Sequence, residues 1–189
     1  MLHRGRILTI ALLLLTAGAA QAGVSVLGGV TLPQSNWGDI AKPGPHVGLE
    51  VTVPMIPSLL SVGGEALLSR NALDMDVVPA SVPDDYSARW YTGQAMGIAK
   101  LQLPLTGLHA KAGFGVISYR YDADGEGWDD IPDQTRIVGA VGAGMSVATL
   151  EIQALYHVVK WDEDADYPES LDEVDTDFSF FTVSAAFGF

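Results

Sequence analysis

Carboxylates are the residues of this chain whose spacing comes nearest to describing a site. The stretch DADGEGWDDIPD, residues 122–133, has acids at positions 1, 3, 5, 9 and 12 and a glycine at position 6. These are ligand positions of the twelve-residue loop that binds Ca²⁺ between two helices. The spacing predicts a calcium site made of Asp122, Asp124, Glu126, Asp130 and Asp133. The alternative is a solvated acidic loop, because glutamate usually closes such a site and no helices flank this one.

A second acidic stretch, residues 161–177, holds nine carboxylates. Mutual repulsion makes an ordered structure unfavourable there and favours diffuse binding of divalent cations. Residues typical of catalysis are few: the chain has no cysteine and no Gly-x-Ser-x-Gly motif, and its histidines lack metal-binding spacing. We therefore expect no enzyme activity and no cofactor other than Ca²⁺ on the acidic loops.

The first 22 residues have the pattern of a secretory signal peptide. A basic start is followed by an apolar run over residues 7–20 and by the A-x-A cleavage pattern at Ala20-Gln21-Ala22. Removal of the segment leaves a single domain, residues 23–189, with 8 basic and 23 acidic residues, a net charge of −15. Such a charge excludes nucleic acid as a partner.

Eight segments of the remaining chain alternate apolar and polar residues with a period of two, which predicts eight strands. Their connections alternate between short ones (54–58, 104–107 and 148–149) and long acidic ones (32–44, 71–88, 122–134 and 162–176). Strands that run up and down would place all long connections at one end of the fold and all short ones at the other. We call these the long-loop end and the short-turn end. The predicted strands span 23–31, 45–53, 59–70, 89–103, 108–121, 135–147, 150–161 and 177–189.

One face of the predicted strands is apolar, and the other carries small and polar residues. Charges of both signs nearly balance on the polar face, so we expect it to form a closed interior held by salt bridges, with the apolar face outside. Eight strands leave room for side chains and not for an open channel. The ionisable residues of the predicted interior are Glu50, Glu65, Lys100, His109, Lys111, Arg136, Glu151 and His157.

These features together resemble the small outer-membrane β-barrels represented by the transmembrane domain of OmpA. The resemblance covers residues 23–189 and rests on the leader, the eight strands, the alternating loops and the terminal segment VSAAFGF. It implies an all-β fold, an eight-stranded antiparallel up-and-down transmembrane barrel. It also implies four long acidic extracellular loops, three short periplasmic turns, and both termini in the periplasm of a Gram-negative cell envelope.

The same resemblance implies partners. The alternating Val183, Ala185, Phe187 and Phe189 are similar to the signal that outer-membrane barrels present to the barrel-insertion machinery. The alternation of strand faces assigns three basic residues to the outer wall at the long-loop end: Arg70, Arg120 and Lys160. There they would contact lipopolysaccharide phosphates. Ordinary interfacial charges are the alternative for these three residues.

We therefore expect a barrel with a filled interior and a structural or surface-interaction role. One alternative is a narrow channel or uptake porin for a small solute. Another is a soluble lipocalin-like barrel with its apolar face inside. A lipid-A-modifying enzyme is disfavoured, because no serine stands two residues after His46, His109 or His157.

Overall fold

The computed structural model describes residues 23–77, 87–124, 134–159 and 178–189 of the chain. Eight antiparallel strands pair in chain order, and the last pairs with the first, so the sheet closes into a barrel. This confirms the predicted fold class. The predicted signal peptide lies outside the described residues. The strands are β1 (Gly23–Pro33), β2 (Gly44–Ile56), β3 (Leu60–Ala72), β4 (Ser87–Gln102), β5 (Leu108–Asp124), β6 (Gln134–Val147), β7 (Leu150–Val159) and β8 (Phe180–Gly188).

Departures from the predicted boundaries reach three residues and occur at both ends, with β2 continuing to Ile56 at the short-turn end. β5 continues to Asp124 because its last residues pair with the beginning of β4, Asp124 with Ser87. The connection after β1, which carries no period-two pattern, contains a short helix, α1 (Ser35–Ile40). A single 3₁₀ turn, Met75–Val77, follows β3. No helix in the described ranges is long and apolar enough to cross a membrane.

The three short connections turn tightly at the opposite end. Each contains a residue with positive φ: Ser58, Leu105 with Gly107, and Ala148. At Gly107 a side chain would be strained, because φ is +72° and an added Cβ would lie 2.5 Å from the Ser146 carbonyl oxygen. The short turns thus join β2 to β3, β4 to β5 and β6 to β7.

Alternate residues of each strand face the interior and the outer wall. Leu68, Phe114 and Ile137 face outward with 64–67% of their surface exposed, whereas the neighbouring Leu67 and Val138 face inward and are buried. A soluble barrel has the reverse arrangement, with apolar side chains inside and charges outside. The lipocalin-like alternative therefore does not fit the structure.

The seam between β1 and β8 provides a test of closure. An alanine Cβ at Gly29 would overlap the backbone of Val183 on β8, whereas one at Gly28 would meet no atom within 4 Å. Overpacking costs about 1–3 kcal/mol. We expect Gly29→Ala to lower the temperature at which the detergent-solubilised barrel loses its fast, folded migration in electrophoresis. Gly28→Ala is the matched control, and an equal effect of both substitutions would contradict the observed seam.

Candidate functional site

The interior near the short-turn end holds a cluster of buried ionised side chains, here called the ion cluster. The Lys100 ammonium donates to Glu50 Oε1 at 2.7 Å and to both Glu151 oxygens at 2.9 and 3.0 Å. The Lys111 ammonium donates to Glu50 Oε2 at 2.5 Å, to Gln153 Oε1 at 3.0 Å and to Glu65. Each ammonium thus uses all three of its donors. The cluster consists of Glu50, Glu65, Lys100, His109, Lys111 and Glu151.

The register of the strands explains this arrangement. Glu50 on β2 lies directly opposite Glu65 on β3, and Lys100 on β4 lies directly opposite Lys111 on β5. Like charges opposite each other destabilise a strand pair. The glutamate pair and the lysine pair meet inside the barrel. The repulsion within each hairpin is therefore offset by the attraction between the two hairpins.

His109 provides the third basic group of the ion cluster. Its Nε2 lies 3.2 Å from Glu151 Oε1, within ion-pair distance although not aligned as a hydrogen bond. The imidazole lies against Gly144 on β6, where an added Cβ would come within 2.5 Å of the ring. Glycine at this position therefore makes room for the histidine. Three carboxylates thus face two ammonium groups and one imidazole.

Two residues predicted for this network lie elsewhere. Arg136 is near the beginning of β6, at the long-loop end, and donates to Gln134 Oε1 at 2.8 Å. His157 is near the end of β7, contacts Thr182 Oγ1 at 3.0 Å and stacks on Phe180. The structure thus places both residues near the long-loop end, away from the ion cluster, although the predicted set included them.

A polar layer that the sequence analysis did not identify lies above the ion cluster. His46 Nε2 is 2.9 Å from Ser184 Oγ, and Nδ1 is 3.3 Å from Thr31 Oγ1. These contacts join β2 to β8 and β1. His46 stands four residues before Glu50 and so shares its face, a signal that was present in the sequence. All three side chains are buried inside the barrel.

Helix α1 folds into the long-loop end and closes it. Trp37 is fully buried, with its ring centroid 5.6 Å from that of Tyr119 and 5.4 Å from that of Phe180, both edge-on. Such aromatic contacts add about 0.5–1.5 kcal/mol each beyond area burial. We call this group the aromatic cap. It consists of Trp37, Trp90, Tyr119, Tyr121, Phe178 and Phe180.

Polar contacts join the segment that follows α1 to the segment at the end of β3. The Lys42 ammonium lies 3.2 Å from Asp74 Oδ1, and Asn71 Nδ2 donates to the Lys42 carbonyl oxygen at 2.9 Å. The Asp76 backbone N–H, followed by the Lys42 ammonium, lowers the pKa of Asp74. The first long connection is thereby joined to the second, which holds α1 over the barrel.

The calcium prediction stays a prediction. Asp122 and Asp124 belong to the end of β5 rather than to a loop. The other three predicted ligands, Glu126, Asp130 and Asp133, lie outside the described residues. Within the described ranges, no group of three or more histidines and acids is arranged to hold a metal ion.

The remaining predicted residues lie on the outer wall. Arg70 and Arg120 face outward and are exposed, and Lys160 lies outside the described residues. Val183, Phe187 and Phe189 also face outward, 41%, 50% and 81% exposed, and Ala185 shares their face. β8 lies between β7 and β1, as the closing strand must.

Comparison with solved structures places this fold among known ones. Ail, the attachment invasion locus protein of Yersinia pestis, was crystallised with the heparin analogue sucrose octasulfate. It superposes with a TM-score of 0.58 at 10% identity, over 89% of this chain and 99% of Ail. Neisserial surface protein A superposes at 0.49 (12% identity, 89% and 96% covered). The N-terminal barrel domain of Pseudomonas aeruginosa OprF superposes at 0.47 (11% identity, 88% and 97% covered).

The sequence matches no protein-family model, and no curated protein resembles it significantly in sequence. The likeness to Ail therefore concerns the fold alone. The fold is that of the small eight-stranded outer-membrane barrels, closed and antiparallel with up-and-down topology.

The ion cluster yields a test of its contribution to stability. Lys111→Met leaves Glu65 without its ammonium partner, and breaking a buried pair in this way costs about 3–5 kcal/mol. We expect a lower urea midpoint in detergent micelles. Adding Glu65→Gln should recover part of the loss, because it removes the uncompensated charge. Lys42→Met, which removes an exposed pair, is the control and should change the midpoint little. A Lys111→Met midpoint equal to that of the unmodified protein would contradict the ion cluster.

Proposed function

We propose that the protein is an outer-membrane barrel that is sealed to solutes and serves as a structural and surface-presenting element of the envelope. The observation that carries the proposal is the filling of the interior at both ends: the ion cluster at the short-turn end and the aromatic cap at the long-loop end. The apolar outer wall and the barrel fold support membrane insertion.

The ion cluster supports a seal because its side chains reach across the barrel. Its members and their polar partners come from six consecutive strands, β2 to β7, with Ser146 on β6 donating to Glu151 at 3.2 Å. Opening a path would require buried charged groups to separate in a medium of low dielectric constant. That is costly, since an unpaired buried charge loses several kcal/mol.

The aromatic cap supports a second seal of a different kind. Trp37, Ile117, Val138 and Val159 are all 0% exposed, so apolar side chains fill much of this part of the interior. An ion that passed the polar layer around His46 would then meet tightly packed aromatic and aliphatic side chains. The two layers therefore oppose permeation by different physical means.

The acidic residues of the long connections support a role in binding cations at the long-loop end, which would face the outside of the cell. Ail binds a polysulfated sugar in its crystal structure. In this chain the long connections carry most of the 23 acids, which would repel such a polyanion. We infer that they attract divalent cations or cation-bridged surfaces instead. Both termini would then be periplasmic, with Val183, Ala185, Phe187 and Phe189 read by the insertion machinery.

Conductance in planar bilayers tests the sealed barrel against the narrow-channel alternative. We expect no steady conductance from the protein, and none from Trp37→Ala alone, because the ion cluster remains. The pair Glu50→Ala with Lys100→Ala removes one charge of each sign and leaves Lys111 with Glu65 and Glu151 with His109. This pair alone should also stay closed, because the aromatic cap remains.

The three substitutions together should open a measurable conductance if both layers seal the barrel. Heat-modifiable migration of each variant verifies that it is folded. Steady, ion-selective conductance of the unmodified protein would overturn the proposal in favour of the channel.

A further inference from the structure

The Phe178 ring is surrounded by three other rings of the aromatic cap. Its centroid lies 5.6 Å from that of Tyr119, 6.2 Å from that of Trp37 and 6.3 Å from that of Trp90. These three neighbours belong to β5, α1 and β4, so the surrounding rings come from three separate elements. An aromatic face attracts a cation that lies within about 6 Å of the ring centroid. A cation in the position of the Phe178 ring would therefore lie at or near this distance from three rings at once.

Phe178 is also the member of the cap that a ligand can displace at the least cost. The other members belong to α1 or to strands, whereas Phe178 precedes β8, whose pairing with β1 begins at Phe180. The carbonyl oxygen of the next residue, Ser179, accepts from the Gln34 backbone N–H at 2.9 Å, which holds the backbone in place. The Phe178 side chain can thus turn outward without the loss of a strand hydrogen bond.

The two tryptophans of the cap each hold a buried hydrogen-bond donor. Trp37 is fully buried and Trp90 is 8% exposed. Among the residues that the structure describes, no group accepts a hydrogen bond from either indole Nε1. A buried donor without an acceptor is unfavourable, and the indole N–H of a buried tryptophan usually finds one. A ligand that carries an oxygen close to its cationic group would supply this acceptor.

The charge of the long connections favours a cation at this end of the barrel. The segments 78–86, 125–133 and 160–177 contain two, four and nine acids against a single base, Lys160. Each segment connects strands whose ends lie at the long-loop end. Arg136 faces the interior at the same end, so the attraction comes from the connections and not from the barrel wall. A concentration of acids of this kind raises the local concentration of small cations and repels anions.

We propose that the aromatic cap binds a small quaternary ammonium compound, whose trimethylammonium head replaces the Phe178 ring between Trp37, Trp90 and Tyr119. An oxygen atom of the compound accepts a hydrogen bond from an indole N–H. A quaternary ammonium suits the site better than a metal ion, because its charge is covered by methyl groups that pack against aromatic faces. The exchange leaves the ion cluster in place, so the barrel stays closed while the compound is bound.

Calorimetric titration of the folded protein with choline, in micelles of the uncharged detergent dodecyl maltoside, tests the site. The control ligand is 3,3-dimethylbutan-1-ol, which has the shape and the hydroxyl group of choline but carbon in place of the charged nitrogen. We expect choline to bind about tenfold more tightly, because only choline gains the attraction of a cation to the aromatic faces. Equal affinities of the two compounds would overturn the proposal.

Three substitutions test which rings form the site. Trp90→Leu removes an aromatic face but keeps an apolar side chain, and should weaken choline binding about tenfold. Phe178→Ala removes the ring that competes with the ligand and should tighten binding severalfold, the opposite of what the loss of an ordinary contact does. Tyr156→Leu removes a ring that contacts Phe181 on the outer wall and is the control, which should leave the affinity unchanged.

Each variant is first tested for heat-modifiable migration, so that a loss of folding is not taken for a loss of binding. Absence of choline binding to both the unmodified protein and Phe178→Ala would overturn the site. Binding of dihexanoyl phosphatidylcholine without binding of choline would overturn a free compound as the ligand in favour of a lipid headgroup. Steady conductance of the unmodified protein would contradict the proposed function and not this site, whereas a folded, closed barrel that binds no choline contradicts only the site.

Discussion

The hydrogen bonds between β8 and β1 are the interaction on which the rest of the structure depends. In hydrocarbon an unpaired backbone group costs several kcal/mol, so a sheet with open edges is excluded. Pairing from Ser25↔Gly188 to Pro33↔Phe180 removes both edges at once. Closure then fixes which side chains share the interior. Glu50, Lys100 and Glu151 come from three separated strands and meet only because the sheet curves back on itself.

Much of this fold follows from the sequence because a strand has a side-chain period of two. In β2, alternation of Val47, Leu49 and Val51 with polar or small residues is enough to assign each side chain to the wall or the interior. The alternation of short and long connections then gives the topology, since antiparallel neighbours need only tight turns at one end. These two local signals suffice for the strand number, the order and the faces.

The composition of the ion cluster depends on information that local patterns do not carry. Arg136 and His109 share the interior face, and their places along β6 and β5 already separate them in height, but the strand stagger of a closed barrel decides which acid His109 meets. The aromatic cap is harder still to predict. Trp37 lies in a helix of six residues with no repeating pattern, and its burial depends on Tyr119 and Phe180, far away in sequence. Single contacts between distant segments leave no periodic trace.

The like-charged hairpins have a consequence for how the barrel is assembled. The β2–β3 hairpin alone would carry two negative charges into the bilayer, and the β4–β5 hairpin two positive ones. Neither can leave water cheaply until the other faces it. A slip of one residue between the two strands of either hairpin would turn one of its two charges toward the outer wall. In the membrane location proposed above, the two hairpins would enter most easily together, and neutralisation of their charges would favour the correctly paired arrangement.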